Sequence, residues 1–177
     1  DIINNYFPAF QEYAKLVSST PIRNMATLAG NFVNASPIGD FTIFFLALNA
    51  EIELFNGVSS HNIALKDFYL GYKKLDKTEN EIISKITFRL PAENFHFNFE
   101  KVSKRTHLDI ASVNSAIMLT TESNKIIDAT LSAGGVGPVP MVLRKTSAFL
   151  QGKMIESSMV ADSLAIAMDE IAPISDA

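Results

Sequence analysis

The stretch TLAGNFVNASPIGDF, from Thr27 to Phe41, places several hydrogen-bonding side chains directly before an apolar segment. Amide, hydroxyl and carboxylate groups of this kind hydrogen-bond readily to a ribose or a polyol. They belong to Asn31, Asn34, Ser36 and Asp40. Gly30, which has no Cβ, lets a ligand approach the backbone closely. The stretch favours a nucleotide cofactor, and an ordinary turn before a capped helix is the alternative.

The apolar segment that follows predicts a helix from Pro37 to about Asn49, with Ser36 as its N-cap. The partial positive charge at a helix N-terminus would attract a phosphate group. Upstream, a helix is predicted from Phe7 to Ser18, because apolar residues recur along one stripe. Pro21 is expected to stop that helix, and the chain from Ile22 is predicted to be extended.

Two later segments alternate as strands do. In EIISKITFRLP, one face carries apolar side chains. These are Ile82, Ile86, Phe88 and Leu90. In FHFNFEKV, a lysine lies in line with three phenylalanines, Phe95, Phe97 and Phe99. That lysine, Lys101, is either a surface residue with an apolar stem or part of a site.

The order of elements predicts an α+β fold. Short strands are followed by a hairpin around a Glu-Ser-Asn-Lys turn, and two helices are predicted at 141–151 and 158–171. The segment PAEN, Pro91 to Asn94, is the best candidate boundary. We therefore predict two domains, residues 1–91 and 95–177.

Composition argues against several classes of function. The net charge is -4 and the basic residues are scattered, so nucleic acid is not an expected partner. The longest apolar run, of about ten residues, is too short for a membrane span, which needs about 20. The chain has no cysteine, and its three histidines lie far apart, so neither an iron–sulfur cluster nor another metal site is expected in it. A cytoplasmic location is the simplest interpretation.

Two further motifs give only weak evidence of a phosphate-binding or catalytic site. GGVGP, which begins at Gly134, lacks the Lys-Ser/Thr of a phosphate loop and is interpreted as a turn. His107 and Asp109 could form an acid–base pair, but no nucleophile motif accompanies them, and no catalytic residue is assigned.

Four segments resemble the flavoprotein part of the xanthine dehydrogenase family of molybdenum hydroxylases, in the family's order. The first, IRNMATLAGNFVNASPIGDF, is similar to that family's signature around the FAD, with Ala29 where the family usually has glycine. The others are LKDFYLGYKKLDKTENEII, KVSKRTHLDIASVNSAI and LSAGGVGPVPMVLRKTSAFLQGK. The resemblance spans essentially the whole chain. It implies the second subdomain of a vanillyl-alcohol-oxidase-type FAD-binding fold, then a small antiparallel sheet with two helices.

The resemblance also implies site residues. It matches Ile83 to a position whose backbone meets the flavin ring, and Lys101 to a lysine whose charge would stabilise the reduced ring. Asp109 would border the side where a nicotinamide docks. The positions matched to the pyrophosphate and sugar–polyol contacts are Thr27, Gly30, Asn31, Asn34 and Asp40, and Ser36 lies among them.

The resemblance implies that the chain is part of an oxidoreductase. Electrons would pass from iron–sulfur clusters through FAD to NAD, with an iron–sulfur domain and a molybdopterin-binding large subunit as partners. Since the family's first FAD subdomain would precede residue 1, we expect a fragment that is inactive and binds FAD weakly or not at all alone. The alternatives are the flavoprotein of a carbon monoxide, nicotinate or aromatic-CoA enzyme, and a docking domain without cofactor.

Overall fold

A computed structural model describes residues 2–91 and 93–173. Within these ranges, short helices come first, strands occupy the middle and two helices follow. The helices are α1 (Ile2–Tyr6), α2 (Phe10–Lys15), α3 (Thr20–Met25), α4 (Leu28–Val33), α5 (Asp40–Ala47), α6 (Arg144–Leu150) and α7 (Ser157–Glu170). The predicted α+β class is confirmed.

Strands form three antiparallel sheets in the described part of the chain. The first has the order β2-β1-β5, the second is the β3-β4 ribbon, and the third has the order β6-β7-β8-β9. Their bounds are β1 (Glu51–Phe55), β2 (Ser60–Ala64), β3 (Tyr69–Gly71), β4 (Lys74–Leu75), β5 (Ile82–Thr87), β6 (Phe95–Val102), β7 (Val113–Glu122), β8 (Lys125–Gly134) and β9 (Met141–Val142). The predicted hairpin is β7–β8, and its two turn residues, Ser123 and Asn124, both have positive φ, as a tight hairpin turn needs.

Helix α5 lies in the middle of the protein. Its sequence, DFTIFFLA, is apolar on every side beyond its first turn, and seven of its eight residues are buried. A helix that is apolar all round must be covered all round. It packs against the third sheet on one side and against α4 and the first sheet's end on others, so both halves of the chain share it.

The main core crosses the predicted boundary at Pro91–Asn94. Phe7 lies edge-on to Phe44, at 5.5 Å between ring centroids, and to Phe97, at 5.2 Å. The rings of Phe44 and Phe97 lie 4.6 Å apart. The division into domains 1–91 and 95–177 stays a prediction. Residues 1, 92 and 174–177 lie outside the described ranges.

Two local predictions were wrong, the start of the helix after Ser36 and the extended segment after Pro21. Helix α5 begins at Asp40, with Gly39 as its N-cap, because Ser36 to Gly39 forms a turn closed by the Gly39 N–H to the Ser36 carbonyl at 3.1 Å. The segment predicted to be extended after Pro21 is instead α3. Ser19 caps it, and proline is compatible with the first turn of a helix.

Strand β5 carries a bulge that inverts part of its predicted face. Leu54 of β1 pairs with Ile83, whereas Glu53 pairs with Lys85, so Ser84 is the extra residue. Ile83 and Ile86 therefore face the core, and Ile82 is 62% exposed.

A candidate cofactor cleft

A cleft of about 730 Å³ opens between three segments that are distant in sequence. We define them as its walls. The first wall is the connection between α2 and α3, residues 17–22; the second is the connection from α4 into α5, residues 31–40; the third is the loop between β6 and β7, residues 105–111. The predicted site residues that line it are Asn31, Asn34, Ser36, Asp40 and Lys101.

Helix α4 is held at its start by the predicted Thr27 and Gly30. The Thr27 Oγ1 accepts the Gly30 N–H at 2.9 Å, and a Cβ on Gly30 would lie 3.0 Å from that oxygen. Neither residue lines the cleft itself. Thr27 is the N-cap of the helix that carries Asn31 into it.

Asn31 joins α4 to α5. Its Oδ1 accepts hydrogen bonds from the Thr42 N–H at 3.1 Å and the Thr42 Oγ1 at 3.0 Å. Its amide nitrogen donates to no group in the described ranges, so two N–H donors remain for a ligand. This is a fixed side chain with free donors at the cleft surface.

Asn34 and Ser36 form the outer part of the second wall. The Lys73 ammonium, from the β3–β4 turn, donates to the Asn34 carbonyl oxygen and reaches its Oδ1 at 3.4 Å. The Ser36 Oγ accepts the Ile38 N–H at 3.4 Å. Both side chains keep hydrogen-bonding capacity toward the cleft, and Lys73 adds a positive charge at its edge.

Lys101 lies at the floor, and its side chain is only 2% exposed. Its Nζ donates to the Leu16 carbonyl at 2.8 Å, to Asp40 Oδ2 at 2.7 Å and to the Asp109 carbonyl at 2.9 Å. A surface lysine with a solvated head is therefore excluded. Since an ammonium has three N–H groups, all of its donors are used within the protein.

Asp40 accepts a second bond that sequence reasoning missed. Asn114 of β7 donates its Nδ2 to Asp40 Oδ1 at 2.7 Å and to the Ile38 carbonyl at 3.0 Å. Asn114 is 1% exposed, and its Oδ1 is buried without a hydrogen-bond partner. The signal in the sequence is a polar amide in line with Ala116 and Met118, the next core-facing residues of the strand.

The third wall is closed by an ion pair. Asp109 Oδ2 accepts the Arg105 backbone N–H at 2.9 Å and lies 3.3 Å from Arg105 Nε. The Arg105 side-chain hydrogen bond holds the pKa of Asp109 below its usual value. On this loop Leu108 has a φ of 58°, and Leu108 and Ile110 are 63% and 75% exposed. The loop thus turns apolar side chains outward at the cleft mouth.

Ile83 is not part of the cleft lining. It lies in β5, opposite Leu54, and packs against the main core. The structure thus brings five of the eight predicted residues to one cleft, leaves Thr27 and Gly30 exposed at the start of α4 outside its lining, and sets Ile83 elsewhere.

Two family profiles match almost the whole chain. Residues 1–92 match the FAD binding domain in molybdopterin dehydrogenase, and residues 98–177 match the CO dehydrogenase flavoprotein C-terminal domain. The chain belongs to this flavoprotein family. It is an FAD-binding flavoprotein portion of the molybdenum hydroxylase family.

Relatives of this flavoprotein come from several enzymes. Xanthine dehydrogenase 1 of Arabidopsis thaliana is 33% identical over 92% of the chain, which covers 12% of that protein. The glyceraldehyde dehydrogenase medium chain of Sulfolobus acidocaldarius is 27% identical over 99% of the chain, which covers 62% of it. The flavoprotein thus spans about three fifths of that medium chain.

Solved structures agree on the fold. A chain of the Cu,Mo-CO dehydrogenase superimposes with a TM-score of 0.92 at 24% identity, over 99% of the flavoprotein and 61% of that chain. A chain of quinoline 2-oxidoreductase from Pseudomonas putida 86 gives a TM-score of 0.85 at 22% identity. An FAD-binding domain followed by the CO dehydrogenase flavoprotein C-terminal fold is therefore shown.

The cleft chemistry fits a flavin dinucleotide. Its two carboxylates are neutralised by Lys101 and Arg105, so a pyrophosphate would meet no uncompensated negative charge there. The free amide of Asn31 suits a polyol, and the exposed Leu108 and Ile110 suit an aromatic ring.

Among the described residues, no cluster of three or more His, Asp or Glu side chains could hold a metal ion. None of the helices in the same ranges is long and apolar enough to cross a membrane.

Proposed function

We propose that the cleft holds part of an FAD molecule and that the residues predicted from the sequence contribute to its binding. The observation that carries the proposal is the convergence of five of those residues on one cleft. The second wall would meet the pyrophosphate and the sugar–polyol part through Asn31, Asn34 and Ser36. Thr27 and Gly30 would act by orienting α4, and Ile83 by its backbone.

Bound FAD supplies two-electron redox chemistry and can exchange electrons singly with iron–sulfur clusters. The chain's own residues would bind and orient it. Asn31 donates from a fixed position. The ion pairs hold the walls in place, and Leu108 and Ile110 exclude water from one side of the flavin.

In the whole protein we assign to this flavoprotein the transfer of electrons from iron–sulfur clusters through FAD to NAD, as in a xanthine dehydrogenase. An iron–sulfur domain and a molybdopterin-binding large subunit would be its partners, in the cytoplasm. A second candidate is the flavoprotein chain of another molybdenum hydroxylase. It is favoured by the two medium chains, named for glyceraldehyde and carbon monoxide dehydrogenases, that match 99% of the chain.

An FAD titration followed by nuclear magnetic resonance tests the binding proposal, since it detects weak complexes. We expect amide shift changes that saturate and are concentrated in the three walls. Asn34→Ala together with Ser36→Ala should weaken binding about thirtyfold, because each removes a hydrogen bond of about 1 kcal/mol. Ser60→Ala with Asn62→Ala, which changes the same residue types on the exposed strand β2, should leave binding unchanged.

Shift changes outside the walls would contradict the assignment of the cleft. No shift changes at millimolar FAD would leave two alternatives, a chain that does not bind FAD on its own and a docking domain without cofactor.

A further inference from the structure

One ammonium group bonds to the second and third walls of the cleft and to Leu16, the residue directly before the first wall. The Lys101 Nζ bonds to the Leu16 carbonyl, next to the first wall, to the Asp40 carboxylate of the second, and to the Asp109 carbonyl of the third. The three distances lie between 2.7 and 2.9 Å. The acceptors come from α2's end, α5's first residue and the β6–β7 loop.

We propose that Lys101 is the residue that assembles the cleft, acting as a positioning residue and not as a contact of the flavin ring. The inference deepens the proposed function and rests on it only for the identity of the ligand. Its physical basis is that the ammonium has no N–H left to donate and that its charge is balanced at 2.7 Å by Asp40.

Burial explains why the arrangement is rigid. The side chains of Lys101 and Asp40 are 2% and 9% exposed, and a buried charge that loses a bond cannot replace it with water. Each wall is therefore fixed by the same donor group. A change that removes the donor should release the three walls together, although they are far apart in sequence.

The charge pair also bears on the expected effect on the flavin. A free lysine near the ring would stabilise the reduced, negatively charged state. A neutral Lys101–Asp40 pair presents a much weaker field to a group beyond it. Replacing the pair by neutral residues should therefore reduce affinity without a large change in the reduction potential of the FAD that remains bound.

Amide hydrogen exchange on the full chain without flavin tests the assembly role. Lys101→Met alone would leave the Asp40 charge buried and unpaired, so the test variant is Lys101→Met with Asp40→Asn. We expect exchange to become at least about tenfold faster at amides 16–19, 39–41 and 105–111 together, because local opening then costs less.

Ser132→Ala is the matched control. The Ser132 Oγ is buried and bonds to the Ile43 carbonyl at 2.7 Å and the Ala116 carbonyl at 3.3 Å, so its loss also removes buried hydrogen bonds, but outside the walls. It should leave exchange in the walls unchanged after correction for global stability. Unchanged exchange in the double variant, or faster exchange in one wall alone, would overturn the inference.

A measurement on the unaltered protein covers the case in which the double variant does not fold. Scalar couplings across the hydrogen bonds, from the Lys101 ¹⁵Nζ to the ¹³C carbonyls of Leu16 and Asp109, should be detectable. Their absence, with Lys101 protons exchanging at the rate of a solvated lysine, would refute the assembly role. Because neither experiment uses FAD, failure of flavin binding would remove the proposed function and leave this inference standing.

Discussion

At the scale of single residues, the cleft floor depends on how closely two strands and a turn approach. Gly134, at the end of β8, faces Asn114, which in turn holds Asp40. A Cβ on Gly134 would collide with Asn114 Oδ1 and lie 2.7 Å from the Pro37 carbonyl oxygen. The glycine pair that begins GGVGP therefore serves close packing, in line with its interpretation as a turn.

Gly134→Ala should consequently destabilise the protein by about 2–4 kcal/mol, because backbone and a buried amide must both move. Urea unfolding followed by circular dichroism gives this value. Gly137→Ala is the matched control, since a Cβ there meets nothing closer than Met141 Sδ at 3.7 Å. Equal effects of the two substitutions would show that close packing at Gly134 is unimportant.

At the scale of elements, α6 is capped by a residue of α7. Glu170 Oε1 accepts the Lys145 N–H at 2.8 Å, and its Oε2 accepts the Thr146 N–H at 2.9 Å and the Thr146 Oγ1 at 2.8 Å. Burial opposes ionisation of Glu170, but the two backbone hydrogen bonds, the Thr146 hydroxyl and the Lys145 charge together outweigh it, and the pKa is lowered. An ionised Glu170 thus ties the two helices together.

Glu170→Gln should cost about 1 kcal/mol of unfolding free energy at pH 7, the usual value of a helix cap. Since the native pKa is the lower one, the ionised carboxylate stabilises the fold above about pH 4.5. That contribution is lost as the pH falls through the native pKa. The difference between variant and wild type, measured by urea unfolding from pH 7 to pH 3, should therefore shrink toward acid. Glu156→Gln, whose side chain makes no capping bond, should show no such difference.

Elements were predictable where one rule governs a segment. Alternation identified β6, and its phenylalanines and Lys101 do share the inward face. It failed in β5, because a bulge at Ser84 lets Ile83 take the inward place that a regular strand would give to Ile82. The rule for helix starts failed at α5, where a serine and a proline typical of such a start form a turn instead. Asp40, the first residue of the helix, is fixed by groups far away in sequence.

At the scale of the whole molecule, the site is a product of long-range contacts. The residue types around Asn31 indicated polar recognition, and the resemblance pointed to the flavin. Neither indicated that Lys101 would use its donors on three walls, because those acceptors are two backbone carbonyls and a side chain 61 positions away. Every residue has a backbone carbonyl, so residue types do not indicate which carbonyl a side chain will contact.

The same long-range packing predicts that the two profile-matched segments unfold as one unit. Phe44 belongs to the first, Phe97 of β6 directly precedes the second, and their rings lie 4.6 Å apart in the main core. Phe97→Ala should destabilise the protein by about 3–5 kcal/mol. A double-mutant cycle with Phe44→Ala should give a coupling of about 0.5–1.5 kcal/mol, since the two rings contact directly.

The chain offers a probe for this prediction, because all four tyrosines lie before residue 73, within the first matched segment. Tyrosine fluorescence therefore reports on the first segment, while amide resonances of β7 and β8 report on the second. If the core is shared, Phe97→Ala shifts both transitions to the same lower urea concentration. The control Phe55→Ala changes a half-exposed ring outside the core and should shift them less. Should the tyrosine transition stay in place while the β7–β8 transition moves, the segments would be energetically independent and the cleft between them would lack the rigid base that cofactor binding needs.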